Sequence, residues 1–116
     1  MPRKAFIAGN WKMNTSAKSA ADLAEALVHR LGSLEKVDVA VCPPFVHLCG
    51  VGRVLAGSKI ALGAQDVFFE DEGAFTGEIS AAMLKDVGCT YVICGHSERR
   101  HVIGETDEVI NRKVLK

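Results

Sequence analysis

The chain has 116 residues, which bounds it at one domain. Hydrophobic residues make up 48% and charged residues 24%, which argues against a disordered segment. Fourteen Lys and Arg balance fourteen Asp and Glu, so the basic footprint of a nucleic-acid binder is missing. No apolar run reaches the roughly 18 residues that a membrane-spanning helix needs. The opening residues have a basic start but too short an apolar stretch for a signal peptide. Four cysteines (Cys42, Cys49, Cys89 and Cys94) form no CxxC pair. They read as reduced and structural, which fits a cytosolic, cytoplasmic protein.

Strand and helix alternate four times along the chain. The first strand is expected over Lys4–Asn10. A helix follows over Ser16–Leu31, with Ala20, Leu23, Ala24, Leu27, Val28 and Leu31 at helical spacing. Thr15 or Ser16 suits its N-cap and Gly32 its end. The second strand is Val37–Cys42, stopped by Pro43 and Pro44. A short helix from Pro44 to Leu55 is expected next, weakened by Gly50 and Gly52. Lys59–Ala64 reads as the third strand, Gln65–Gly77 as a long irregular loop and Ile79–Val87 as a helix ended by Gly88. Thr90–Cys94 is the fourth strand, and helical pieces near Ser97–Val102 and Thr106–Leu115 follow. Repeated βα units imply an α/β fold with a parallel sheet and right-handed crossovers.

Parity places Phe6, Ala8 and Asn10 on one face of the first strand. If the extended geometry continues, Lys12 joins Asn10 at the strand's carboxyl end, where α/β sheets build ligand sites. A lysine there can bind phosphate or carboxylate; an Asn turn beside a solvated Lys is the alternative. Gly95-His96-Ser97-Glu98-Arg99-Arg100 follows the fourth strand and opens a helix. The positive field of the helix start disfavours a charged imidazole at His96. Such a histidine can donate to a developing oxyanion, or it can simply cap the helix. Counting by twos puts Val92, Cys94 and His96 on one face. The 65–77 loop holds Phe68, Phe69 and Phe75, and an aromatic surface loop needs a partner surface. The acidic run Glu70-Asp71-Glu72 reads as solvated, without a closed metal-ligand set. His29, His47 and His101 read as surface or packing residues, and Gly50-x-Gly52 does not follow a strand as a phosphate loop would.

Gly9-Asn10-Trp11-Lys12-Met13-Asn14 resembles the first-strand motif of the triose-phosphate isomerase family. Gly95-His96-Ser97-Glu98-Arg99-Arg100 resembles that family's histidine motif. Gly63-Ala64-Gln65-Asp66 and Gly73-Ala74-Phe75-Thr76-Gly77-Glu78-Ile79-Ser80 resemble its third-loop motifs, in the same order. The resemblance runs over essentially the whole chain. It implies that residues 1–116 are a single N-terminal (βα)4 half of a TIM (β/α)8 barrel, since a whole barrel takes about 250 residues. It also implies interconversion of dihydroxyacetone phosphate and glyceraldehyde 3-phosphate through an enediolate, with no cofactor and no metal.

By the resemblance, Lys12 balances negative charge on substrate and transition state, and Asn10 helps hold Lys12 and the substrate. His96 is the electrophile that polarises the carbonyl oxygen, as is well known for this family's neutral histidine. Glu98 is a supporting carboxylate near Lys12. Phe75 and Thr76 are dimer contacts, because the family's third loop reaches into a neighbouring subunit, and Gln65 supports that interface. The catalytic glutamate, the lid and the phosphate loops of the family have no counterpart in these 116 residues. The chain alone is therefore expected to be inactive, and its ending within a helix suggests a fragment.

A four-stranded fragment has bare edges that template association. By parity, its barrel-facing side (Ala8, Ala40, Cys42 and Cys94) is expected to be uncovered. A homo-oligomer formed through these edges and the 65–77 loop follows, with neither nucleic acid nor membrane as partner. Three readings stay open: an isomerase lacking its second half, an inactive self-assembling half-barrel, and a phosphosugar-binding module.

Overall fold

The computed structural model describes residues 3–116. Strands β1 (Ala5–Asn10), β2 (Val37–Cys42), β3 (Ile60–Ala64) and β4 (Cys89–Val92) form one parallel sheet in chain order. Helices α1 (Ala17–Leu31), α2 (Leu48–Leu55), α3 (Ala81–Asp86) and α4 (Asp107–Leu115) alternate with them. Parallel neighbours need such crossovers, because no hairpin can join them. The expected (βα)4 order is present.

Local chemistry sets the helix starts. Ser16 caps α1 reciprocally with Ser19: the Ser19 amide donates to Ser16 Oγ (3.1 Å) and the Ser16 amide to Ser19 Oγ (2.9 Å). Ala20 and Ala24 then bury against the sheet, while Leu23, expected on the same stripe, stays largely exposed. The second helix is shorter than its pattern suggested. Pro44 keeps an extended ψ of 152°, so Phe45–His47 forms only a 3₁₀ turn before α2. The third is shorter too, because the Phe68 amide donates to the Ile79 carbonyl (2.8 Å) and Phe68 bridges Ser80. That contact holds residues 79–80 extended, and Ser80 becomes the cap of α3.

The helix side of the sheet carries the core: Val41, Ile60, Leu62 and Ala64 pack with Ala20, Ala24, Leu48, Val51, Leu55 and Leu84. On the other face the sheet curls so far that Phe6 of β1 and Tyr91 of β4 touch, their ring centroids 4.7 Å apart. This curvature corrects the expectation of an uncovered inner face. Ala40 is 0% and Cys42 2% exposed, while Ala8 and the edge-strand rings of Phe6 and Tyr91 stay open. Gly63 is required here, since a Cβ would stand 2.7 Å from Cys42 Sγ. Cys94 corrects a second expectation, because it packs against the helix-side core. A register shift between Leu62 and Gly63 puts Tyr91, not its even-numbered neighbours, opposite Gly63. Counting by twos back from His96 therefore lands on the wrong face. All four cysteines are free. No helix among the described residues is long and apolar enough to cross a membrane.

Candidate functional site at the carboxyl ends of the strands

β1 delivers Asn10 to the sheet's carboxyl edge, and Trp11 prolongs the pairing with one bond to the Cys42 carbonyl (3.1 Å). The extended geometry stops there. Lys12 has φ +57° and Thr15 φ +80°. Left-handed backbone costs a non-glycine residue about 1–2 kcal/mol, and such conformations persist only where neighbours over-determine them. Four side chains do so. Asn10 Oδ1 accepts from the Lys12 amide (2.9 Å), and Asn14 Nδ2 donates to the Trp11 carbonyl (2.8 Å). His47 Nε2 donates to the Thr15 carbonyl (3.1 Å), and Gln65 Nε2 donates to the Lys12 carbonyl (2.8 Å). Lys12 thus reaches the mouth of the sheet by a sharp turn and not by strand parity.

β4 delivers His96 through an equally sharp corner. Gly95 has φ +66°, and a Cβ there would stand 2.8 Å from Ile110 Cγ2 of α4. Only glycine permits both the turn and the close approach. The His96 carbonyl accepts from the amides of Arg99 (2.9 Å) and Arg100 (3.1 Å), opening a helical turn that passes into a π-turn at Arg99–Ile103. Within that turn the Glu98 amide donates to His96 Nδ1 (3.1 Å). Nδ1 is therefore an acceptor, and Nε2 is left as the ring's N–H donor.

Lys12 Nζ meets Glu98 Oε1 at 2.6 Å. The lysine's hydrogen bond holds the Glu98 carboxyl below the usual carboxylate range, against some burial. Both side chains are about half exposed, so the pair contributes little to stability. Its consequence is placement: Asn10, Lys12, Gln65, His96 and Glu98 line one cavity of about 390 Å³. An N–H donor and an ammonium facing one space can stabilise an oxyanion.

Behind the cavity lies a network that the sequence reading missed. Arg99 Nη2 meets Asp66 Oδ2 at 3.2 Å, and Arg99 Nε meets Glu105 Oε2 at 3.0 Å. Lys113 Nζ meets Asp66 Oδ1 at 2.7 Å and also Glu105 Oε2. The side chains of Lys113 and Glu105 are only 3% and 5% exposed. Burial opposes the Lys113 charge, yet its hydrogen bonds to Asp66 and Glu105 raise the ammonium above its ordinary value. Burial likewise opposes ionisation of Glu105, yet hydrogen bonds from Lys113 and Arg99 hold its carboxyl below the ordinary range. The network ties the end of β3 to the turn after β4 and to α4. No local sequence signal announces it, since Glu105 precedes α4 and Asp66 lies 47 positions from Lys113.

The 65–77 loop corrects one expectation. Its aromatics satisfy one another: Phe68 stacks on Phe69 (4.3 Å) and packs against Phe75 (4.7 Å), while Arg112 lies 5.3 Å over the Phe69 ring. Phe68 and Phe69 need no outside surface; Phe75 and Thr76 at the tip remain exposed. The structure does not bring these two residues into the cavity lining with Lys12 and His96.

A parallel βα sheet with its polar groups gathered at the strands' carboxyl ends is the layout of α/β-barrel enzymes. The family model for triosephosphate isomerase matches residues 5–116. A triosephosphate isomerase of Carboxydothermus hydrogenoformans is 59% identical over 112 residues, covering 97% of this chain and 45% of that protein. Those of Rhodopirellula baltica and Roseiflexus sp. are 50% and 54% identical, with 98% and 97% of this chain and 45% and 44% of theirs covered. The chain belongs to the triosephosphate isomerase family. It spans less than half the length of these curated relatives, in the N-terminal half of the family fold.

Proposed function

We propose that this chain supplies the electrophilic half of a triose-phosphate isomerase site. In the isomerisation, a base takes a proton from the carbon beside the substrate's carbonyl, and an enediolate carries the charge until a proton returns to the neighbouring carbon. His96 Nε2–H would donate to the carbonyl oxygen as it becomes an oxyanion. Lys12 would offset the negative charge of substrate and enediolate, Asn10 would hold the Lys12 backbone, and Glu98 would orient the ammonium. The observation that carries this reading is the Glu98 amide bond to His96 Nδ1, which leaves Nε2 as a donor in the cavity that Lys12 shares.

Glu98 is committed to Lys12, so it does not serve as the base. A general base contributes about 10²–10⁴-fold, and substrate positioning contributes more. The chain on its own would bind a triose phosphate weakly and not turn it over. Residues 1–116 would act as one half-barrel unit. The bare edges at β1 and β4, where Phe6, Ile7, Tyr91 and Val92 are exposed, favour association with further strands. Phe75 and Thr76 would contact a second copy, Gln65 would support that interface, and four free thiols suit the cytoplasm.

The test is a titration of the isotope-labelled chain with glycerol 3-phosphate, which mimics the reduced substrate. The Lys12 amide and the His96 ring signals should shift, and Lys12→Met should abolish the shift. Shifts confined to other residues, or none at millimolar ligand, would refute the reading.

A further inference from the structure

Lys12 is a lysine in left-handed backbone, and nothing in its own side chain rewards that conformation. Its carbonyl is held from a residue far along the chain. Gln65, just past β3, donates from Nε2 to the Lys12 carbonyl at 2.8 Å and to the Cys42 carbonyl at 2.8 Å. One amide nitrogen thus staples the turn after β1 to the end of β2. The Cys42 carbonyl is a rigid anchor, because it also accepts the Trp11 amide at 3.1 Å and belongs to a residue only 2% exposed. Both N–H groups of the Gln65 amide are thereby used, and the carboxamide plane is fixed by two acceptors at once.

On the other side, Asn10 Oδ1 grips the Lys12 amide at 2.9 Å. Asn10 holds the nitrogen of the Lys12 residue and Gln65 its carbonyl, so both of its peptide planes are set by side chains. The direction of the Lys12 side chain toward Glu98 follows from those two planes.

We propose that Gln65 is a positioning residue: by bridging the Lys12 and Cys42 carbonyls it holds Lys12 in left-handed backbone and so aims the ammonium into the cavity. This deepens the functional reading above and rests on it for its consequence, but the geometric claim stands apart. It also assigns Gln65 a role inside its own chain, beyond the support of an interface.

The experiment is Gln65→Met in the isotope-labelled 116-residue chain, a change that keeps the side chain's length and removes both donors. Three signals are read together: the Lys12 amide-to-Hα coupling, which reports φ, the contact between Lys12 Hε and Glu98 Hγ, and the affinity for inorganic phosphate. The variant should lose the left-handed coupling and the Lys12–Glu98 contact while amide shifts in α1 and α2 stay in place. Phosphate affinity should fall about tenfold, the size of effect expected for lost hydrogen bonds that position a charge. An unchanged Lys12 coupling in a folded Gln65→Met chain would overturn the proposal.

If the unsubstituted chain bound no phosphate, the functional reading would fail while the coupling still judged Gln65. Should Gln65→Met not fold, the unsubstituted chain decides. Both Gln65 side-chain amide protons should exchange slowly with solvent, and exchange of both at the free-amide rate would overturn the assignment.

Discussion

Lys113 is the most buried charge in the structure's ion network, and removing it should be costly. In Lys113→Met the side chain keeps its length and apolar stem, but the carboxylates of Asp66 and Glu105 lose one of the two cations that contact both. Breaking a buried pair by deleting one partner costs about 3–5 kcal/mol, because the remaining charge stays desolvated. Arg99 still reaches Glu105 at 3.0 Å and Asp66 at 3.2 Å, so half of the positive charge persists. The expected cost is therefore near the low end, about 3 kcal/mol. Urea unfolding followed by far-ultraviolet circular dichroism measures it as a lower midpoint at unchanged slope.

The double variant Lys113→Met/Glu105→Met should recover most of the loss, since exchanging a buried pair for apolar residues is close to neutral. The pH dependence has a definite sign. Glu105 has its folded-state value lowered, so its contribution is present above the ordinary carboxylate value and is lost as pH falls through the lowered one. Lys113 is raised, so its contribution is present below the ordinary lysine value and is lost as pH rises through the raised one. The stability gap between parent and Lys113→Met should be flat between about pH 5 and pH 10 and should narrow on either side. A cost below about 1 kcal/mol, or a double variant no better than the sum of the two singles, would refute this reasoning.

Gly95→Ala forces a left-handed alanine and drives a methyl to 2.8 Å from Ile110 Cγ2. The strain and the overpacking together should cost about 2–4 kcal/mol in the same assay, and Ile110→Ala should relieve only the steric part. Ser16→Ala removes the reciprocal cap of α1 and should cost about 1 kcal/mol. Among the thiols, burial pushes Cys89 up to about 11, whereas Cys49 lies on the surface. Iodoacetamide at neutral pH should modify Cys49 first and Cys89 only after unfolding, as peptide mass mapping would show.

Much of this architecture was legible in the sequence. β2 runs over Val37–Cys42 as expected, because its Ala40–Cys42 end is apolar and buried on both faces and two prolines end it. α1 was legible from its alanine and leucine stripe and its serine cap. The meeting of Asn10, Lys12 and His96 was also legible, since polar residues at carboxyl strand ends converge in this kind of sheet. The route was not. Lys12 arrives by a left-handed turn held from Gln65, a partner 53 positions away, and no local pattern announces that. His96 arrives past a positive-φ glycine, which breaks the alternation that parity needs. The Asp66–Arg99–Glu105–Lys113 network stayed hidden because charged residues read as surface until packing closes over them.

These residues are proposed to form the electrophilic half of an isomerase site whose base comes from elsewhere. The most direct measurement is turnover of glyceraldehyde 3-phosphate by the purified chain, alone and mixed with a separately expressed segment covering the rest of the Carboxydothermus hydrogenoformans relative. No turnover by the chain alone, and turnover by the mixture that His96→Gln abolishes, is the predicted result. Turnover by the chain alone, or a mixture whose turnover ignores His96→Gln, would contradict the account.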